Sequence, residues 1–193
     1  MDRTTHKLVH GSIQTRHAPY FNMGGLSNNT LSPTVPGPPS QTVPEQPGSV
    51  PAGMLQDFEY PDCFYNVFQV TGELTTEQVQ EGSYSLKMTG TGGEWHTIGA
   101  YLYNRPIDAT GYNQICVWIY DTVGRNTVGI RLHDQNNNNK EVWSRTRTQK
   151  DRWKLICLSL SDFADVVDLT TLTRVQLTMY WDGVYYWDHL HLN

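Results

Sequence analysis

VQLTMYWDGVYYWDHLHL, residues 175–192, is the stretch on which the fold turns. At its centre Asp182-Gly183 suits a two-residue hairpin turn, because both central positions of such a turn take positive φ. A turn there sets Trp181 opposite Val184, Tyr180 opposite Tyr185, Thr178 opposite Trp187 and Val175 opposite Leu190. One face then carries Val175, Leu177, Met179, Tyr186, Leu190 and Leu192 and reads as core, with Asp188 its exception. The other carries Gln176, Thr178, Tyr180, Tyr185, Trp187, His189 and His191, an aromatic and polar surface unusual for plain solvent.

The same period of two runs upstream. YSLKMTGTG (84–92), HTIGAYLYN (96–104) and KEVWSRTRT (140–148) read as strands. NQICVWIYDT (113–122) and RWKLICLSL (152–160) are apolar on both faces. TVGIRLHDQ (127–135) turns Val128, Ile130 and Leu132 inward and Gly129, Arg131 and His133 outward. SDFADVVDLTTL (161–172) holds at most one short helical turn, and no internal repeat is visible. Eight to ten short strands at this spacing predict an all-β, jelly-roll β-sandwich over residues 54–193.

Residues 1–53 differ in kind. They hold eight of the ten prolines, seven of them between Pro33 and Pro51. SPTVPGPPSQTVPEQPGSVPAG cannot sustain a helix or a central strand, so 31–53 reads as an extended spacer. Its span from Pro33 to Ala52 reaches about 60 Å at the ~3.1 Å rise of polyproline. Residues 1–30 scatter Leu8, Val9, Ile13, Tyr20, Phe21, Met23 and Leu26 with no period. They are either a disordered tail or an arm that another chain holds, since a short segment without a core does not repay its ordering entropy.

The chain carries a net charge of -5. Residues 1–53 contribute +1 (Arg3, Lys7 and Arg16 against Asp2 and Glu45), which leaves -6 on the remainder. That balance argues against a nucleic-acid binder working through a basic face. No apolar run approaches a membrane span, and the first residues lack the apolar core of a secretory signal. Cys63, Cys116 and Cys157 are widely spaced and odd in number, so no disulfide framework is expected. Cys116 and Cys157 lie in apolar runs and read as buried thiols of a chain folding in a reducing cytoplasm.

No GxSxG, HExxH, P-loop or GxGxxG motif is present, and a non-enzyme is expected. His189 and His191 share a strand face but lack a third ligand, and read as surface or packing histidines. The aromatic residues say more. Arg131, His133, Trp143, Arg145 and Arg147 fall on outward positions of their strands. With the rings of Trp118, Tyr120 and Tyr180, each of which also reads as packing, they give Trp118, Tyr120, Arg131, His133, Trp143, Arg145 and Tyr180 as the candidate sugar-binding set. Flat rings beside guanidinium and imidazole groups suit a sugar, whose apolar face stacks while planar donors take its hydroxyls. The same residue types also anchor protein interfaces.

MLQDFEYPDCFYNVF, EGSYSLKMTG, IDATGYNQICVWIYD and LTRVQLTMYWDGVYYWDHLHL, in this order, resemble the galactose-binding-like jelly-roll carbohydrate-binding modules. The resemblance covers about residues 54–193 and rests on the order of motifs that are each loose. It implies glycan binding on a concave face or loop tip. It also implies a structural Ca2+ where first and last strands meet, at Glu59, Asp57 and Asp188, with main-chain oxygens near Ser83 to Lys87. A buried Asp188 needs a cation or a paired base such as Lys87.

Arm, proline spacer and sugar-binding-like head together resemble the layout of bacteriophage decoration, head-fibre or tail-accessory proteins. That layout implies a virion protein assembled in the host cytoplasm, as a homo-oligomer or in many copies. Residues 1–53 would meet other virion proteins, and the head would meet host-surface glycans by avidity. Two alternatives stand: a cement protein whose aromatic face packs on a neighbour, and a carbohydrate-binding accessory module of a glycan-active enzyme system.

Overall fold

The computed structural model describes residues 50–193. The proposed anchor over 1–30, and the spacer over 31–53 apart from its last four residues, lie outside the described residues. Eleven strands occur in the described part: β1 (Met54–Gln56), β2 (Phe64–Phe68), β3 (Val70–Thr75), β4 (Ser85–Gly90), β5 (His96–Tyr101), β6 (Gln114–Asp121), β7 (Val128–Asp134), β8 (Asn139–Trp143), β9 (Trp153–Ser159), β10 (Leu172–Met179) and β11 (Gly183–Leu192). A single 3-10 turn, Leu160–Asp162, follows β9. No helix among the described residues is long and apolar enough to cross a membrane.

The strands make two antiparallel sheets. One runs β3-β4-β11-β6-β9, and β1 continues the β4 side of β11 at its end; the other runs β2-β5-β10-β7-β8. The inner faces follow from alternation. Leu86 and Met88, Ile115, Val117 and Ile119, and Ile156 and Leu158 face inward from the first sheet. Ile98 and Ala100, Val128, Ile130 and Leu132, and Val175, Leu177 and Met179 face them from the second. All are buried, and this shared apolar layer holds the sandwich together.

The terminal hairpin is not formed. β10 is the central strand of one sheet and β11 of the other, so residues 180–182 carry the chain across the sandwich. Neither Asp182 nor Gly183 has the positive φ that the turn requires. Gly183 is needed for space instead, since a Cβ there would lie 2.4 Å from a Val123 methyl carbon. The facing of β11 is corrected as well. Between Asp188 and His191 the ladder with β6 shifts by one residue, with His189 at φ 49 forming the bulge. Tyr185 and Trp187 therefore enter the core before the bulge, and Leu190 and Leu192 after it. Tyr186 and Asp188 pair with Tyr120 and Trp118 on the outer side.

The cysteines also differ from expectation. Cys116 and Cys157 are direct partners across β6 and β9 and form a disulfide, which leaves Cys63 as the buried thiol. Two cysteines 41 residues apart look unrelated in sequence, but strand register puts their Cα atoms 4.1 Å apart. The reducing compartment argued from free thiols loses that ground.

Candidate functional site

The outer face of the five-stranded sheet is ordered in three rows across the strands, about 7 Å apart along each strand. The first row is Phe68, Thr97, Thr178, Gly129 and Trp143. The second is Tyr65, Gly99, Gln176, Arg131 and Glu141, and the third is Tyr101, Arg174, His133 and Asn139. Two glycines make room for rings. A Cβ on Gly99 would come within 2.1 Å of the Tyr65 ring, and one on Gly129 within 3.0 Å of the Trp143 indole.

Above the first two rows lies a cleft of about 390 Å3, lined by Val67, Phe68, Trp95, Thr97, Arg131, Glu141 and Thr178. Its walls are exposed apolar groups: Phe68 is 52% and Trp95 45% accessible. Its floor is polar and internally bonded. The Thr178 hydroxyl donates to Glu141 Oε1 at 2.7 Å, and Thr97 and Thr178 hydroxyls meet at 3.2 Å. Arg131 reaches Gln176 Oε1 and Glu141 Oε2, each at 3.4 Å. These contacts are long, so the guanidinium keeps donor capacity for a ligand.

Trp95 belongs to a ring cluster. It meets Trp143 edge to face at 5.3 Å and Tyr180 at 4.7 Å, and Tyr180 meets Trp181 at 4.7 Å. Tyr180 also donates to Glu94 at 3.1 Å. The turn before Trp95 is tied to the sheet-crossing segment through Asp182. That carboxylate accepts from Gly92 N at 3.3 Å and Gly93 N at 3.2 Å. These amides, Gly93 first, and His96 hold its carboxyl below the usual range. Buried His96 lies with Nε2 2.8 Å from Asp182 Oδ1 and Nδ1 2.8 Å from the Gln69 carbonyl.

Of the residues expected from the sequence, Arg131, His133, Trp143 and Tyr180 do share this face. Trp118 and Tyr120 do not: they sit on the outer face of the other sheet. There Tyr120 packs edge-on between Trp153 and Tyr186, each 5.8 Å away. Arg145, beyond the end of β8, is exposed and does not line the cleft. Of the four on this face only Arg131 lines the cleft; its other lining residues are Val67, Phe68, Trp95, Thr97, Glu141 and Thr178. Thr178 and Glu141 share strand parity with Tyr180 and Trp143, and that was the available signal. Phe68, at a bulged edge strand, and Trp95, in a loop, carried none.

The three carboxylates expected to bind a metal are not assembled into one cluster. Among the described residues no group of three or more His, Cys, Asp or Glu side chains is placed to hold a metal ion. Asp57 is engaged by the Tyr103 hydroxyl and, at 3.1 Å, by Glu59 N. Glu59 and Asp188, however, both sit under the 80–84 loop. Glu59 Oε1 accepts from Ser83 N at 2.7 Å and Tyr84 N at 3.0 Å. Gly82 at φ +79 is obligatory there, as a Cβ would fall 2.2 Å from that oxygen. Asp188 Oδ2 accepts from Gln80 N at 2.8 Å and Glu81 N at 3.0 Å, while its buried Oδ1 has no partner. That orphan oxygen, beside a second carboxylate, fits a cation. Lys87, the base considered in its place, pairs instead with Glu73 and Glu77.

Burial, reinforced by Glu59, pushes Asp188 up to about 6. Its folded pKa is thus above the unfolded value, and ionisation is penalised in the fold. Stability from this group is present below about pH 4 and lost as pH rises through about 6, a cost of about 3 kcal/mol. His189, lowered chiefly by burial, acts in the opposite sense as pH falls below its ordinary value. The difference between wild type and Asp188→Asn isolates the carboxyl. Without added cations, urea titrations from pH 4 to 7.5 should show wild type losing stability relative to the variant. Parallel pH profiles would refute this account of Asp188.

Comparison with known proteins follows the fold. No protein-family model matches the chain, and a search of curated proteins returned no match. Solved structures do match. A family 11 carbohydrate-binding module from Clostridium thermocellum, in complex with a β-1,3-1,4-mixed-linked tetrasaccharide, superposes with a TM-score of 0.54 at 16% identity, covering 72% of this chain and 94% of that one. A xylan-binding domain from Paenibacillus barcinonensis gives 0.50 at 13% identity, covering 75% and 97%. An exo-β-agarase gives 0.57 at 13%, covering 74% of this chain and only 25% of the enzyme, so the chain spans about a quarter of its length. At these identities the likeness establishes the fold, a jelly-roll β-sandwich.

Proposed function

We propose that residues 54–193 form a non-catalytic carbohydrate-binding module that takes a glycan in the cleft of the five-stranded sheet. The observation that carries this reading is the cleft's make-up: exposed Phe68 and Trp95 on its walls, and Thr97, Thr178, Arg131 and Glu141 on its floor. Rings stack on the apolar faces of pyranoses, and the floor groups supply both donors and acceptors for hydroxyls. The fold's neighbours, a carbohydrate-binding module and a xylan-binding domain, support it. They favour the accessory module of a glycan-active system over the virion-display reading, for which neither fold nor neighbours offer support. Attachment through residues 1–53 to another protein remains a separate proposal, tested by co-sedimentation of the full chain and of 54–193 with candidate particles.

Affinity electrophoresis of the full chain through neutral β-glucan, xylan and agarose tests the reading. At least one polymer should retard it. Phe68→Ala should weaken that binding about 5-fold, near 1 kcal/mol, and Trp118→Ala on the opposite sheet should leave it unchanged. No retardation by any polymer, neutral or uronate-bearing, or equal loss in both variants, would count against the cleft.

We further propose that Glu59 and Asp188 hold a structural Ca2+ together with nearby backbone carbonyls. The ion would neutralise the buried carboxylate and fix the 80–84 loop. Added Ca2+ should then raise the melting temperature of wild type at pH 7 but not that of Asp188→Asn.

A further inference from the structure

We propose that the third row of the sheet face, next to the cleft, receives the carboxylate of an acidic sugar, so that the glycan recognised bears uronate residues. The inference rests on the cleft being a glycan site. It comes from two arginines. Arg174 projects from central β10 and is half-buried, yet its recorded partners are neutral: Asn137 Oδ1 and, at 3.5 Å, His133 Nδ1. Arg105 lies over the Tyr101 ring, 4.8 Å from its centroid, and Tyr101 is the direct strand partner of Arg174. Among the described residues neither guanidinium is paired with a carboxylate, on a domain whose formal charge is -6.

Tyr65, whose ring lies 4.8 Å from Tyr101, has its hydroxyl in the field of both arginines. His133 is held below its ordinary pKa by burial first and by Arg174 next, and being neutral or cationic it cannot serve as a counter-charge to Arg174. A half-buried guanidinium without a counter-ion is costly unless a ligand supplies one. Its planar fork matches a carboxylate, and a carboxylate on the sugar next to the one in the cleft is within the ~7 Å row spacing.

The test uses the full chain and three polymers: glucuronate-substituted xylan, polygalacturonate and alginate. Each is compared with the same polymer after reduction of its carboxyls to alcohols. Wild type should bind at least one acidic form about 10-fold more tightly than its reduced form, a preference suppressed by salt. In Arg105→Gln/Arg174→Gln the ratio should fall below about 2-fold, while Arg145→Gln keeps it. Gln at 174 retains an amide for Asn137, and Arg105 is exposed, so a folded double variant is expected. Equal binding of acidic and reduced forms, a preference that survives the double variant, or tighter binding of a sulfated galactan than of any uronate would each overturn the assignment. Should the chain bind neutral glycans in a Phe68-dependent way but no acidic one, this inference alone fails. Should it bind neither, the glycan reading falls with it.

Discussion

Asp121→Ala should destabilise the domain by about 4 kcal/mol, the largest effect expected of a substitution away from the core. Asp121 is fully buried at the end of β6. Its Oδ1 accepts from Val123 N at 2.7 Å and Gly124 N at 2.8 Å. Its Oδ2 accepts from Asn126 Nδ2 at 2.8 Å and the Thr148 hydroxyl at 2.5 Å. Thr148 in turn takes the Asn126 amide at 2.9 Å. One carboxylate thus ties the end of β6 to the 122–126 loop and to Thr148, beside the backbone bonds from Arg125 N to the Thr148 carbonyl and from Thr148 N to the Asn126 carbonyl. Alanine removes the acceptor of four donors, three of them on buried Gly124, Asn126 and Thr148, and only the Thr148 hydroxyl has a second acceptor, the Asn126 carbonyl at 3.3 Å. Asparagine keeps the acceptor for Val123 and Gly124 but turns an NH2 toward Asn126 and Thr148, so roughly half the loss is expected. Urea unfolding followed by tryptophan fluorescence measures both. A loss below 1 kcal/mol for alanine would mean that the 122–126 loop finds other partners or opens to water at little cost.

Much of the architecture was legible because alternation is enforced by burial. Ile115, Val117 and Ile119, or Val128, Ile130 and Leu132, cannot face outward without exposing a continuous apolar row, so their strands announce themselves. β1 to β3 were less visible. Between Met54 and Thr75 the chain is broken by Pro61 and by Phe58, Asp62 and Gln69 at positive φ, and its strands are short or at an edge. Two further facts are not local at all. Which sheet a strand joins depends on partners far away, so adjacent β10 and β11 read as a hairpin although they belong to opposite layers. One bulge at His189 then reverses the parity of everything before it, which is why Tyr185 and Trp187 read as surface.

The site was half legible for the same reasons. Period two separates the faces of a strand, and so Arg131, His133, Trp143 and Tyr180 were rightly set on one outer face. It cannot tell the outer face of one sheet from that of the other, and so Trp118 and Tyr120 were grouped with them. Cys116 and Cys157 repeat the lesson from the other side: register alone pairs them. Phe68 and Trp95 lie where no period operates, and only the folded arrangement brings them to the cleft.

Trp95→Ala should therefore be the most damaging change to glycan binding, about 50-fold, or ~2.3 kcal/mol, with less than 1 kcal/mol lost in stability. The indole combines the two properties a stacking platform needs. Its 45% exposure leaves ring surface for a ligand. Its edge-to-face contacts with Trp143 and Tyr180 fix its orientation beforehand, so little rotamer entropy is lost on binding. Orientation also depends on Asp182, which ties the Gly92-Gly93 turn and His96 to the segment bearing Tyr180 and Trp181. Asp182→Ala should weaken binding by a smaller factor, about 5-fold, because it loosens the platform without removing it. Calorimetric titration with the polymer that retards wild type, alongside thermal melts, separates the cases. If Trp95→Ala binds as wild type does while Asp182→Ala is weakened, the crossing segment and not the indole meets the sugar. The stacking surface would then pass to Tyr180, which packs against Trp95, and to the exposed ring of Trp181 beside it.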